Sequence, residues 1–197
     1  LPNLEEPLWL PGPESPNLPL HELHVWRVRT EEPRWTGQPG WPVTSDREEK
    51  LRTELFRQDI LDRYTREVAA LTGPASGLRV NVAQCDHLTL IAVSRNIRAL
   101  GLDIERVRED IPFDEMAGGF FDLNSQWDLR VTWSPREKAW KFFQFWTSNE
   151  ACAQAHPSAQ SAHRYQVRGF SPEADFIAAL AVGGGPDADV LYWDWQC

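Results

Sequence analysis

The chain has 197 residues, 42% of them hydrophobic and 25% charged, which excludes wholesale disorder and suffices for one well-buried domain or two small halves sharing a core. Its net charge of −9 and pI near 5.0 argue against duplex nucleic acid or an anionic membrane as partner, since both reward a basic surface. Cys85, Cys152 and Cys197 form neither a CxxC pair nor a zinc-spaced set, as expected in a reducing cytoplasm. The longest apolar run, "FIAALAV", is far short of the ~20 residues of a membrane span, and no signal peptide is expected at the first residue.

Residues 1–19 hold six prolines, too many for a helix or a central strand. They read as an extended arm that packs through Leu8, Trp9 and Leu10. "HELHVWRVRT" alternates as a strand, and "EEPRWTGQPGWPV" is loop. The segment from Thr44 to Gly73 is the longest helical one. Thr44 or Ser45 caps it, Gly73 ends it, and Leu51, Leu55, Ile60, Tyr64, Val68 and Leu71 supply the apolar stripe. "LRVNVAQ" and "LTLIAVS" form a hairpin around the polar "CDH", and "LGLDIERV" is a further buried strand. "WSPREKAWKFFQFWTSNEACAQA" starts a helix explicitly, with Ser134 at the cap, Pro135 at the first position and Glu137 completing a capping box. "HRYQVRGF", "DFIAALAV" and "DVLYWDWQ" read as closing strands. The order implies an α+β protein of two comparable halves, each a small, mainly antiparallel sheet packed with helices. The expected divisions are an arm at 1–19, an N-terminal subdomain at 20–98 and a C-terminal subdomain at 99–197.

In "GLDIE", Asp103 and Glu105 are two apart, so on a strand both carboxylates point to one face. One reading is a strand end in solvent, with Glu105 pairing Arg106 or Arg108. The other is a site that needs a cation, because two bare carboxylates on an apolar strand repel and resist burial. Glu150, on the aromatic-rich helix with Trp146 one turn before it, supplies a third. Three carboxylates from a strand and a helix suit a hard divalent cation such as Mg²⁺, and Glu150 so placed can also serve as a general base.

These residues resemble the Sfp-type 4′-phosphopantetheinyl transferases, whose signature is a G-[VI]-D-[IV]-E strand followed by W-[ST]-x-K-E-A-x-x-K-A on a helix. "GLDIE" (101–105) matches the first motif. "WTSNEACAQA" (146–155) matches the second at Trp146, Thr147, Glu150, Ala151 and Ala155. "VNVAQCDHLTLIAVS" aligns without gaps on the family's F-N-x-S-H-S hairpin, and "DRYTREVAALTG" is similar to its helix with an R-x-x-[LV]-R pattern. The resemblance covers nearly all of the chain after about residue 20. It implies a pseudo-twofold fold with coenzyme A in the cleft between halves, and Mg²⁺ held by Asp103, Glu105 and Glu150. It also implies transfer of 4′-phosphopantetheine to a serine of an acyl or peptidyl carrier protein, with Glu150 as the base.

The departures gather where the family neutralises phosphate. Its motif lysines are Asn149 and Gln154 here, its histidine is Gln84, the flanking serines are Ala83 and Cys85, and the G-K-P segment before the hairpin is missing. By the resemblance, coenzyme A contacts fall to Gln84, Asn149 and Gln154, with Arg63 among the arginines (Arg27, Arg29, Arg34, Arg47, Arg66) that would compensate. "QCDH" also offers Cys85 as a nucleophile beside His87, against the plainer reading of a packing cysteine in a turn.

Three functions stand after this. The first is the family's transfer reaction. The second is a repurposed enzyme of polyketide or nonribosomal peptide metabolism that has lost coenzyme A transfer. It would use the carboxylates, or Cys85, on a carrier-bound or small-molecule intermediate. The third, a non-catalytic carrier-binding scaffold, leaves the three acids unexplained. A cytoplasmic monomer is expected.

Overall fold

A computed structural model describes residues 4–30, 46–71, 77–95, 97–155, 165–184 and 188–196. Within 46–71, the side chains of residues 46, 47, 49 and 65–71 are not described. The chain forms two compact units, one of Trp9–Asn96 with Pro186–Cys197 and one of Leu1–Leu8 with Ile97–Gly185.

The first unit is a five-stranded sheet with one long helix. Its strands are β1 (Leu10–Pro11), β2 (Glu22–Arg29), β3 (Arg79–Cys85), β4 (Leu88–Ser94) and β8 (Asp189–Asp194), in the order β1-β8-β2-β4-β3, with α1 at Asp46–Leu71. β2, β4 and β3 pair antiparallel, whereas β8 runs parallel to both β2 and β1. The second unit is the antiparallel sheet β5 (Ala99–Arg106), β7 (Phe176–Gly183) and β6 (Tyr165–Phe170), in the order β5-β7-β6. It carries the helices α2 (Phe113–Phe120), α3 (Leu123–Arg130) and α4 (Pro135–Ala155). The protein is therefore α+β, with two sheets and four helices among the described residues, as its pattern implied.

Several details differ from the sequence reading. The last strand, expected with the C-terminal subdomain, belongs to the first unit. β2 is buried along nearly its whole length, so both its edges need partners, and β8 supplies one. Arg27 then grips Asp194 with two charge-assisted hydrogen bonds of 2.7 and 2.8 Å. The arm does not pack through Leu8 and Leu10, which are exposed. Trp9 does pack as expected, meeting Tyr192 edge-on under the Arg27 guanidinium, and Leu18 enters the core.

On α1 the buried stripe is Ile60 and Tyr64 with half-buried Phe56, at i, i+4 and i+8. Leu51 and Leu55, expected in that stripe, lie rotated off it and are exposed. The side chains of Val68 and Leu71, the Thr44 or Ser45 cap and the Gly73 stop lie outside what is described. Under α1, the Trp26 indole N–H donates to the Tyr64 hydroxyl at 2.6 Å. Burial keeps the His24 ring neutral, in spite of Glu22. The Glu22 carboxylate, which can only accept, then takes Nε2–H at 3.1 Å, and Nδ1 accepts from the Tyr64 hydroxyl at 2.8 Å.

The two short helices α2 and α3 were absent from the sequence reading. α3 did carry a start signal, since the Asp122 side chain accepts from the backbone N–H groups of Asn124 and Ser125 at 2.8 and 3.1 Å. α4 begins as its sequence predicts, with the Ser134 hydroxyl accepting from the Glu137 N–H at 3.3 Å.

Candidate functional site: a carboxylate cluster on β5 and α4

β5 has two faces. Leu102 and Ile104 point one way and are buried, while Ala99, Gly101, Asp103 and Glu105 point towards α4. The α4-facing surface is paved with small residues, Ala99, Ala179 and Ala181, and α4 meets it with Ala151 and Ala155. Gly101 marks the crossing point. A Cβ there would stand 1.8 Å from the Ala151 carbonyl oxygen and 2.7 Å from the Ala155 nitrogen. Only a residue without a side chain lets the helix backbone lie directly on the strand.

That crossing brings Glu150, the residue before Ala151, to the strand's acids. Asp103 is half-buried beside it and Oδ2 of Asp103 is buried with no hydrogen-bond partner among the described residues. Burial first, then the charges of Glu105 and Glu150, push its carboxyl up to about 7, against a smaller lowering by the Ile104 N–H. Glu105 is half-buried and Glu150 exposed. The arrangement concentrates negative charge and leaves one oxygen unsatisfied, which suits a hard divalent cation. The side chains as they stand do not grip one, because among the described residues no three His, Cys, Asp or Glu converge into a ready-made metal group. The acids are thus near enough to repel.

Around Glu150 the helix carries no cation. Asn149 and Gln154 are exposed on either side of it. The α4 lysines lie more than two turns earlier and are engaged, Lys138 with Asp114 at 2.8 Å and Lys141 with the Thr132 hydroxyl at 3.0 Å. Trp146, one turn before Glu150, is stacked on Phe142 and meets Phe120 edge-on. The part of Phe120 in this aromatic wall was not foreseen, because it lies on a helix the sequence reading missed.

The other expected site residues lie in the first unit. Gln84 on β3 accepts a hydrogen bond from the Thr53 hydroxyl of α1. Arg63 is largely spent within its own unit. It pairs Asp59 at 3.1 Å, donates to the Pro13 carbonyl at 3.3 Å and lies over the Trp26 ring. Cys85 is half-buried, in no disulfide, and closes the β3–β4 ladder opposite Leu88. The two-residue turn follows, with Asp86 at a left-handed φ of 52° and the His87 carbonyl held by the Thr30 N–H at 2.8 Å. Arg34 lies outside the described residues, as do the side chains of Arg47 and Arg66. Cys152 packs among the alanines between α4 and the sheet, where burial pushes its thiol up.

The α+β fold and the acid-bearing strand and helix are consistent with the phosphopantetheinyl transferase superfamily, and a distant similarity over most of the chain supports that class. The chain is 23% identical over 224 aligned residues to 4′-phosphopantetheinyl transferase HetI of Nostoc sp., an alignment covering 89% of this chain and 94% of that protein. No protein-family model matches the chain. Among the described residues, no helix is long and apolar enough to cross a membrane.

Proposed function

We propose that the chain transfers 4′-phosphopantetheine from coenzyme A to a serine of an acyl or peptidyl carrier protein, with Mg²⁺ held by Asp103, Glu105 and Glu150. The observation that carries this reading is the Gly101–Ala151 crossing, which brings three carboxylates from two elements together in a chain similar to HetI. Structural stability gives no reason to cluster them, since each raises the cost of ionising Asp103. A hard cation bound there would draw in the pyrophosphate oxygens and offset their charge. Asp103, fixed on the strand, anchors the site, and Glu105 adds a second carboxylate on the same face. Glu150, the exposed member, takes the proton of the attacking serine hydroxyl, directly or through water.

A second reading is favoured by the missing cations. Asn149 and Gln154 put no charge beside Glu150, Gln84 is bonded to Thr53, and Arg63 is bonded to Asp59. A charge-assisted contact to phosphate is worth ~1.5–3 kcal/mol, so coenzyme A would be held weakly. On this reading the carboxylates act on a carrier-bound or small-molecule intermediate of polyketide or nonribosomal peptide metabolism.

Incubation with apo carrier protein, coenzyme A and Mg²⁺, read by the carrier's mass, separates the two. The first predicts a phosphopantetheine-sized gain that Glu150→Ala abolishes. No gain at high enzyme and millimolar coenzyme A excludes it.

A further inference from the structure

In the second unit the edge strand β6 carries a piece of the proline-rich arm. Glu5 pairs parallel with Phe170 as an isolated bridge on the side of β6 away from β7. Its N–H donates to the Gly169 carbonyl at 3.0 Å, and its carbonyl accepts from the Ser171 N–H at 3.0 Å. Leu4, half-buried, packs against the apolar cluster that Phe142 and Phe143 of α4 share with Phe113 of α2 and Ile177 of β7. A Cβ on Gly169 would stand 3.3 Å from Leu4 Cδ2, with no other described residue beyond its chain neighbours inside 4 Å. The space beside Gly169 is therefore taken by the arm. Gly169 is also in line with Asp103, since both stand opposite Ala179 of β7.

We propose that this edge of β6 is a docking groove for a short extended segment with a leucine followed by a glutamate, which the arm fills in cis as a detachable strap. The bonding is that of strand addition, in which backbone hydrogen bonds supply the grip and a side-chain pocket supplies the selectivity. Detachability follows from a contrast along the arm. From Trp9 onwards the chain is held within the first unit. Trp9 lies under the Arg27 guanidinium, β1 pairs with β8, the Gly12 N–H donates to the Asp194 carbonyl at 2.8 Å, and Leu18 is buried. At Glu5, by comparison, there is one bridge in place of a ladder, and Glu5, Glu6 and Leu8 are exposed. The next bond of a parallel ladder would need the N–H of residue 7, which is a proline and has none. Segments with exposed backbone bonds and few buried contacts are the first to open. Release leaves the Gly169 carbonyl and the Ser171 N–H as an open sheet edge. It also uncovers the cluster to which α4, the helix of Glu150, belongs. The strap thus braces the acid-bearing unit, whatever reaction the acids perform.

Amide hydrogen exchange on the full chain tests this. Leu4→Lys sets a charge against the cluster, and Glu5→Pro deletes the N–H bonded to Gly169. In both, the Ser171 amide should exchange about tenfold faster or more. The Val107 amide, bonded to the Asp175 carbonyl at 2.8 Å, should keep its rate. A synthetic peptide of residues 1–8, "LPNLEEPL", should restore the protection of Ser171 in either variant. Its expected dissociation constant is about 0.1 mM, because a short tether supplies an effective concentration of about a millimolar and must keep the arm mostly docked. The same peptide carrying Leu4→Lys should not protect. A Ser171 amide that stays protected in both variants overturns the proposal, as does one that the peptide fails to re-protect at several times about a millimolar. So does protection in the unaltered chain that rises with protein concentration, since the groove would then hold the arm of a second copy.

Discussion

Replacing Asp103 with asparagine is expected to stabilise the metal-free protein while abolishing its activity. The carboxyl is pushed from 3.8 up to about 7, so the folded chain binds this proton more tightly than the unfolded one. Stability therefore falls as pH rises from about 4 to about 7 and is level above that. A shift of this size corresponds at most to about 4 kcal/mol at 1.36 kcal/mol per unit. The site is partly open and Glu150 is exposed, so solvent screening reduces this to about 1–3 kcal/mol. Asp103→Asn removes the charge at nearly constant shape. Urea unfolding in EDTA at pH 8 should show a gain of that order, shrinking towards zero by pH 4. Mg²⁺ should raise the wild-type midpoint at pH 8 and leave that of the variant where it was. A variant no more stable than wild type at pH 8 would refute the account of Asp103 as a charge held at the expense of stability.

Gly101→Ala drives a methyl into the Ala151 carbonyl, so α4 must move away by more than an ångström. A loss of about 1–3 kcal/mol in thermal unfolding is expected, with about a hundredfold lower transfer rate from displacing Glu150. Tyr64→Phe strands the Trp26 indole N–H and the His24 ring, and should cost about 2–4 kcal/mol by chemical denaturation. Burial holds His24 below its usual 6.5, in spite of Glu22. Its contribution to stability is complete above that pH and is lost as pH falls further, and the titration of its ring protons by NMR should be shifted to lower pH. Asn149→Lys with Gln154→Lys restores positive charge beside Glu150. If the transfer reading is right, KM for coenzyme A should fall about tenfold or more while the melting temperature barely moves. An unchanged KM would favour the repurposed enzyme.

How much of this was legible depended on how local the cause is. The hairpin β3–β4, the strand β5 and the start of α4 rest on alternation and on Ser134 and Pro135, which act within a few residues, and they stand where the pattern put them. α2 and α3 are only eight residues each, too short for a convincing period, although Asp122 announced the second. Leu51 and Leu55 misled because they are apolar at helical spacing, and only the sheet beneath α1 decides which stripe it meets. β8 was assigned to the wrong half because parallel pairing with β2 joins residues far apart in sequence, and no local signal reports it.

By itself the sequence determined an α+β chain with two carboxylates on one face of a strand and a third on an aromatic helix. It also determined the loss of the lysines and histidine expected around them. Whether the acids of "GLDIE" end in solvent or lie against a helix was decided by tertiary structure. Gly101 lets the α4 backbone lie on β5, and that contact both buries Asp103 and brings Glu150 to it. Burial and like charge act through space, so their effect on Asp103 exists only once the helix has crossed the strand.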